Sequence, residues 1–316
     1  MRVFITGGTG FAGSHLVDYI AEHHPTYTIQ VLKRWRSNSE NLAHFPEGRI
    51  KFYEGDLTDP HGLRTILERA QPDRIFHVAA QTFVPYSYVN PIATLDTNCQ
   101  GTIHLLEAYR AVCPKAKFLL VSSGEVYGSH EEPITELSQL NVRSPYGLGK
   151  LAQDRACYMY QQAYGLPILI ARSFSQVGPR KWEGLVDSSW CKQVARMEKH
   201  MQKPVLSVGR LDSIRTFCDV REMVQAYWMF MDQGTPGELY NICGDEVLSM
   251  QKILDLLRSL TTVSFDVVED PFLLRPTDVA RLEPQSTSFR TRFAWQPKIP
   301  YRDSLTQLLE YWRARI

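Results

Sequence analysis

The sequence predicts an α/β chain built on a doubly wound parallel sheet, with a smaller substrate-binding lobe in its C-terminal part. Three observations carry that expectation. Short apolar runs alternate with helical patterns of about 12–18 residues, the signature of strand–helix–strand crossovers. The first apolar run, Val3-Phe4-Ile5, ends in a glycine-rich turn and enters a helical pattern from Ser14 to Ala21. Beyond Ala171 the chain changes to short elements punctuated by Pro and Gly, interleaved with returns to the main sheet. The expected division is residues 1–170 for a dinucleotide-binding domain and 171–316 for the mainly substrate-binding lobe.

The turn after the first strand reads Thr6-Gly7-Gly8-Thr9-Gly10-Phe11-Ala12-Gly13. Strand, glycine loop and helix in that order make a phosphate cradle, because the first N–H groups of the helix face an anion. Gly7 suits a tight turn, Gly10 admits a pyrophosphate, and Gly13 lets the helix pack close to the sheet. Thr9, Phe11 and Ala12 belong to the same loop. This is the Rossmann arrangement. The second strand, Thr28 to Leu32, runs into Lys33-Arg34-Trp35-Arg36-Ser37. A site for NAD normally places a carboxylate here to hold the ribose hydroxyls. Three cations and no acid favour a 2′-phosphate instead, to which Arg34 or Arg36 can donate charge-assisted hydrogen bonds. NADP(H) is therefore the expected cofactor, a solvated basic loop being the alternative.

A third strand, Ile50 to Tyr53, leads to Gly55-Asp56-Leu57. A fourth, Arg74 to Val78, ends in Ala79-Ala80-Gln81, whose small residues let a cofactor cross the strand ends. Ala93 to Ala111 reads as one long helix containing Asn98. The fifth strand, Lys117 to Val121, ends in Ser122-Ser123-Gly124-Glu125-Val126-Tyr127-Gly128. A helix over 145–164 follows, and Pro167 to Ala171 is the sixth strand. Ligands of such sheets bind at the C-terminal strand ends, where Gly7, Ala80 and Ser123 all fall.

The helix after the fifth strand opens with Ser144-Pro-Tyr-Gly-Leu-Gly-Lys150. Tyr146 and Lys150 stand one turn apart on one face. A phenol with an ordinary pKa of about 10 is a poor acid or base at neutral pH. An ammonium one turn away favours the phenolate and moves that pKa toward the working range. Such a pair can exchange the proton of an alcohol while a hydride moves on the same carbon. Alone, Tyr-x-x-x-Lys is weak, since chance produces it in many proteins and a surface lysine beside a helical tyrosine is the ordinary explanation.

Composition narrows the function classes. With 44% hydrophobic and 22% charged residues the chain has ordinary globular balance. A formal net charge of +1 provides no global field for nucleic acid or anionic membrane. No apolar run reaches about 18 residues, and no charged and apolar leader precedes the first strand, so no membrane span or secretion signal is expected. The six cysteines are scattered without C-x-x-C or metal-ligand spacing; a reducing, cytoplasmic location and no metal are expected.

Gly7-x-x-Gly10-x-x-Gly13, Ser123 and Tyr146-x-x-x-Lys150, in that order, resemble the short-chain dehydrogenase/reductase family. The length and second lobe resemble its extended branch, which acts on nucleotide sugars. Four stretches narrow the resemblance: Val208-Gly-Arg-Leu-Asp-Ser-Ile-Arg215-Thr-Phe-Cys-Asp-Val-Arg221, Gly237-Glu-Leu-Tyr-Asn-Ile-Cys243, Leu274-Arg275-Pro276-Thr277-Asp278-Val279 and Trp295-Gln-Pro-Lys-Ile-Pro300. They are similar to GDP-4-keto-6-deoxy-D-mannose reductases, and GDP-mannose 4,6-dehydratases share much of them.

The resemblance implies roles. Ser123 orients the reacting oxygen, Tyr146 exchanges its proton, and Lys150 holds the nicotinamide ribose while lowering the Tyr146 pKa. Asp56 and Leu57 lie near the adenine, with Ala79, Ala80 and Gln81 along the cofactor. Ser175, Arg215 and Arg275 contact the substrate, the two arginines holding its diphosphate. Relatives usually dimerise through the helices near 93–111 and 145–164, so a homodimer is expected. The chain departs from the pattern at Ser175, where an Asn usually follows Phe174, at Gln176 after it, and at Thr216, where many relatives have an acid. Glu125 matches the base with which dehydratases of this family remove the C5 proton of the sugar, but reductases also carry Ser-x-Glu. Gly124 lacks the second acid of some dTDP-glucose dehydratases. The expected activity is NADP(H)-dependent reduction at C4 of a GDP-linked 4-keto-6-deoxy sugar. The alternatives are a GDP-mannose-type 4,6-dehydratase using Glu125 and, more remotely, a non-catalytic NADP-sensing regulator.

Overall fold

The computed structural model describes every residue except Arg275, Pro276 and Asp278. The first half runs β1 (Arg2–Thr6), α1 (Phe11–His23), β2 (Thr28–Lys33), β3 (Ile50–Glu54), α2 (Pro60–Ala70), β4 (Arg74–His77), α3 (Val84–Val89), α4 (Pro91–Leu95), α5 (Gly101–Val112), β5 (Lys117–Ser123), α6 (Pro145–Tyr164) and β6 (Ile168–Ser173). The second half continues with β7 (Ser175–Val177), α7 (Val186–Glu198), β8 (Val205–Val208), β9 (Ile214–Asp219), α8 (Val220–Gln233), β10 (Leu239–Ile242) and β11 (Glu246–Ser249). It closes with α9 (Met250–Arg258), β12 (Asp266–Glu269), β13 (Arg281–Leu282), α10 (Thr287–Phe293) and α11 (Tyr301–Arg313).

Seven parallel strands form the main sheet in the order β10-β6-β5-β4-β1-β2-β3. Parallel strands are covered on both faces, which is why β1, β5 and β6 read as continuous apolar runs rather than alternating ones. One face packs Val3, Ile5 and Leu169 against α1 and α8 through Leu16, Ile20, Met223 and Tyr227. The other packs Phe4, Phe118 and Ile168 against α2, α5 and α6 through Leu67, Leu105 and Cys157. The strand order reverses between β1 and β4, so the crevice of the sheet opens where the chains leaving these two strands part. From the C-terminal half, β10 forms the edge of this sheet beside β6, and α8 covers one face.

The rest of that half builds a small sheet, β11-β9-β13 with β7 also on β9, and a two-stranded ribbon of β8 and β12. A separate core of Trp190, Val194, Leu206, Phe217, Ile253 and Leu308 holds these pieces together. Only Phe174 separates β6 from β7. Ser173 therefore pairs with Ser123 in the main sheet, while Ser175 pairs with Phe217 in the small one. The Phe174 ring fills the space beside Gly124, where an added Cβ would stand 2.2 Å from a ring carbon.

The continuous helix expected over 93–111 is broken. Between α4 and α5 lies a π-helical turn, Asp96–Gln100. Its cause is Asn98, whose side chain turns inward to grip the backbone of Gln81. Its Oδ1 accepts from the Gln81 N–H at 2.7 Å, and its Nδ2 donates to the Gln81 carbonyl at 3.0 Å. An extra residue in the turn is the usual way for a helix to re-aim a side chain at a functional site.

Candidate active site

The glycine loop has the shape a diphosphate requires. Gly7 sits at φ +73°, where a side chain is strained, and its absent Cβ would lie 2.8 Å from the Ala79 backbone. At Gly13 a Cβ would come within 2.1 Å of the Gly7 carbonyl oxygen. Gly10 caps α1 with no side-chain hydrogen bond, and the first turn of the helix carries no acid, so the end of the helix is left positive. These features fit a dinucleotide phosphate. Thr9, Phe11 and Ala12 are half-buried around the loop. Past β2, Arg34, Trp35 and Arg36 are exposed; Arg36 lies over the Trp35 ring at 4.3 Å, and neither arginine makes an ion pair among the described residues. That suits them to a 2′-phosphate. Asp56 accepts from the N–H and hydroxyl of Thr58, each at 2.9 Å, which fixes the turn after β3 beside buried Leu57.

Ser123 ends β5 with its hydroxyl accepting the Glu125 N–H at 3.2 Å. Tyr146 and Lys150 project from the first two turns of α6, which starts cleanly because Ser144 caps it, accepting from Gly147 N–H at 2.9 Å, and Pro145 follows. Both side chains are buried. Burial pushes the Tyr146 phenol up to about 12; the Ser123 hydroxyl beside it pulls the other way, and the Glu125 charge adds to the rise. Lys150 is 3% exposed, and burial lowers it to about 8. Its ammonium donates to the Val121 carbonyl at 2.9 Å. The lowering of Tyr146 expected from Lys150 is thus outweighed: desolvation dominates, and the ammonium turns toward β5. The outcome is a phenol that stays protonated at neutral pH, a state fit to give a proton away. Glu125 is partly exposed, and its carboxylate makes no hydrogen bond or ion pair among the described residues.

A buried polar network behind these groups was not legible in the sequence. His77, at the end of β4, joins Thr6 through Nδ1 at 2.7 Å and Thr102 through Nε2 at 2.9 Å. Gln153, on α6, donates to the same Thr102 hydroxyl at 2.6 Å. Burial and the Lys150 charge hold the imidazole down to about 3, so it is neutral. Thr6 also accepts the Ala79 N–H at 3.2 Å. The network and the Asn98–Gln81 clamp tie the glycine loop, the segment Ala79-Ala80-Gln81, α5 and the Tyr146 helix into one block. Asn98 inside an otherwise apolar-periodic helix was the one signal that could have pointed to it.

The structure sets Ser175 and Arg215 in one small sheet, on the adjacent strands β7 and β9. Arg215 Nη1 donates to its neighbour's carbonyl, that of Ile214, at 2.8 Å. Thr216, where the chain departs from the family pattern, is buried, and its hydroxyl has no partner among the described residues. Arg275 lies outside the described residues. Among the described residues no cluster is arranged to hold a metal ion, and no helix is long and apolar enough to cross a membrane.

Comparison with known proteins places this geometry. The GDP-mannose 4,6 dehydratase family matches over residues 4–308. A GDP-6-deoxy-D-mannose reductase of Pseudomonas aeruginosa is 32% identical over 319 residues, covering 100% of this chain and 98% of the relative. The dTDP-D-glucose 4,6-dehydratase of Homo sapiens is 28% identical, covering 99% of this chain and 90% of the relative. Among solved structures, RMD from Pseudomonas aeruginosa complexed with NADPH superposes with a TM-score of 0.86 at 30% identity, covering all of both chains.

Proposed function

The chain belongs to the GDP-mannose 4,6 dehydratase family of nucleotide-sugar enzymes, and from that premise we propose that it reduces the C4 ketone of a GDP-linked 4-keto-6-deoxy sugar with NADPH. The observation that carries the reading is end-to-end similarity to a GDP-6-deoxy-D-mannose reductase. Bound NADPH supplies the hydride that adds to C4. Ser123 orients the ketone oxygen by hydrogen bonding. Tyr146, protonated at neutral pH, gives its proton to that oxygen as it becomes an alkoxide. Lys150 holds the ribose hydroxyls, and its charge stabilises the phenolate left behind. Arg34 and Arg36 take the 2′-phosphate. By resemblance, Arg215 and Arg275 take the substrate's diphosphate, and Ser175, on the strand beside Arg215, contacts the substrate. The reading includes a cytoplasmic homodimer, supported by the free state of all six cysteines and by exposed Val89, Ile92, Tyr158 and Met159 on the outer helices.

The unpaired carboxylate of Glu125 favours a second reading, a 4,6-dehydratase that oxidises C4 and then removes the C5 proton with Glu125. The two differ in stoichiometry: a dehydratase regenerates its cofactor, whereas a reductase consumes one NADPH per sugar. Purified protein given GDP-4-keto-6-deoxymannose is expected to oxidise NADPH one for one, and Tyr146→Phe to slow this by about 10²–10⁴-fold. With GDP-mannose and catalytic NADP⁺ it is expected to form no 4-keto product. Conversion of GDP-mannose, lost in Glu125→Gln, would replace the reductase by the dehydratase.

A further inference from the structure

β4 and β6 flank β5, whose last residue is Ser123. The chain leaving β4 carries Phe83, which enters α3, a helix packed on the Tyr146 helix. The chain leaving β6 through β7 carries Trp182. The two rings meet edge to face, with centroids 4.8 Å apart and planes at 85°. Loops from the two neighbours of β5 thereby meet in an aromatic contact beyond the strand end that bears Ser123.

The backbone on both sides of this contact is fixed. On the β4 side, Asn98 clamps the Gln81 main chain, and the Phe83 N–H donates to Gln81 Oε1 at 2.5 Å. On the other side, residues 178–184 are tied down at several points. The Pro179 carbonyl accepts from His15 Nε2 at 3.0 Å, and Arg180 donates to Asp18 at 2.6 Å and to Ser14 at 3.3 Å. All three partners lie on α1, the helix that begins at the glycine loop. These ties hold Arg180 at φ +69°, a conformation that arginine seldom adopts. Lys181 is turned inward, donating to the Gln176 carbonyl at 2.6 Å and to buried Asp187 at 2.8 Å. The indole of Trp182 lies against Gly184, where a Cβ would stand 2.1 Å from it. Yet Trp182 itself remains 51% exposed. About half of the Trp182 side chain is thus open to solvent, while the chain that bears it is held.

We propose that Phe83 and Trp182 form an aromatic gate over the reaction site, with Trp182 the leaf that opens to admit the nucleotide sugar and closes on it. This rests on the reading of the site given above. An edge-to-face pair is modest enough to part and re-form. Its closure shields the reacting carbonyl from water and retains the sugar during hydride and proton transfer. Trp182 is a positioning residue of the gate, and cofactor binding does not depend on its ring, because the ties to α1 run through Pro179 and Arg180.

Two measurements test the gate. In turnover, Trp182→Ala is expected to raise KM for GDP-4-keto-6-deoxymannose by about tenfold while the Kd for NADPH stays within about twofold. Trp182→Phe, which keeps an aromatic leaf, is expected to recover most of the loss. Unchanged KM and kcat in Trp182→Ala would overturn the proposal, as would equal weakening of NADPH. Should Trp182→Ala fold poorly, Phe83→Ala supplies the same comparison from the opposite side. In binding, adding GDP-mannose to the NADP⁺-loaded protein is expected to change the tryptophan emission, and Trp182→Phe to abolish the change. A change that persists in Trp182→Phe refutes the gate. The emission test needs no turnover, so a wild type that fails to reduce the ketone would sink the proposed reaction while leaving the gate to be decided by binding.

Discussion

Raising the pH is expected to switch off the free enzyme near pH 8, and the group responsible is Lys150. Burial lowers its ammonium from 10.5 to about 8, a penalty on the charged form of about 3 kcal/mol at roughly 1.4 kcal/mol per pH unit. The folded chain therefore holds this proton less tightly than the unfolded chain does. Below about pH 8 the penalty is present in full, and it is relieved as pH rises toward 10.5, so this group adds stability over the window in which activity falls. With one titration near 8, Lys150 is about nine-tenths charged at pH 7 and about one-tenth charged at pH 9. Tyr146, at about 12, stays protonated throughout and contributes no limb. The assay is kcat/KM for NADPH in ketone reduction between about pH 6 and 10, followed by NADPH absorbance, because that ratio reports the enzyme before cofactor binds. The limb in kcat should lie higher, since the phosphates of bound cofactor favour the ammonium. Lys150→Arg keeps its charge at every pH tested and should lose the limb, whatever its absolute rate. A wild-type kcat/KM that is flat to about pH 10, or an unshifted limb in Lys150→Arg, refutes the reasoning.

Two further outcomes are expected. Replacing Arg34 and Arg36 together by Ala should erase an at least tenfold preference for NADPH over NADH, about 1.4 kcal/mol, in equilibrium titrations; a double variant that keeps the preference would place the 2′-phosphate elsewhere. Arg172 and Asp154 form a fully buried ion pair at 2.7 Å, with Arg172 also donating to Tyr127 at 2.7 Å. Arg172→Met strands the carboxylate and should destabilise the fold by about 3–5 kcal/mol in urea denaturation, most of it recovered on adding Asp154→Leu; a loss under about 1 kcal/mol would show the pair to be energetically idle.

What the sequence disclosed were the parts governed by local rules. Gly7 and Gly13 announce their backbone demands through spacing alone, and Ser144-Pro145 marks the start of a helix that puts Tyr146 and Lys150 on one face. The apolar runs of β1, β5 and β6 reveal a sheet covered on both sides. The parts that depend on partners distant in the chain stayed hidden. Asn98 looks like any polar residue in a helix until Gln81 stands beside it, and then the helix must take a π turn to keep the contact. The pKa of Tyr146 went the opposite way because helical spacing shows the neighbouring charge but not the depth of burial. Lys181 is drawn inside by Asp187, and nothing local links Phe83 to Trp182.

Gly124 and Phe174 also bear on how such a chain could change its chemistry over time. A second acid at position 124, of the kind some dTDP-glucose dehydratases use, cannot be gained here by one substitution, because the Phe174 ring occupies the space its Cβ would need. The same ring is the one residue between β6 and β7, so displacing it would disturb the main sheet and the small sheet together. Placing an acid there therefore calls for a smaller residue at 174 as well, at the cost of a cavity where the ring now packs. Packing beside the strand end thus narrows which side chains, and so which chemistries, position 124 can take up.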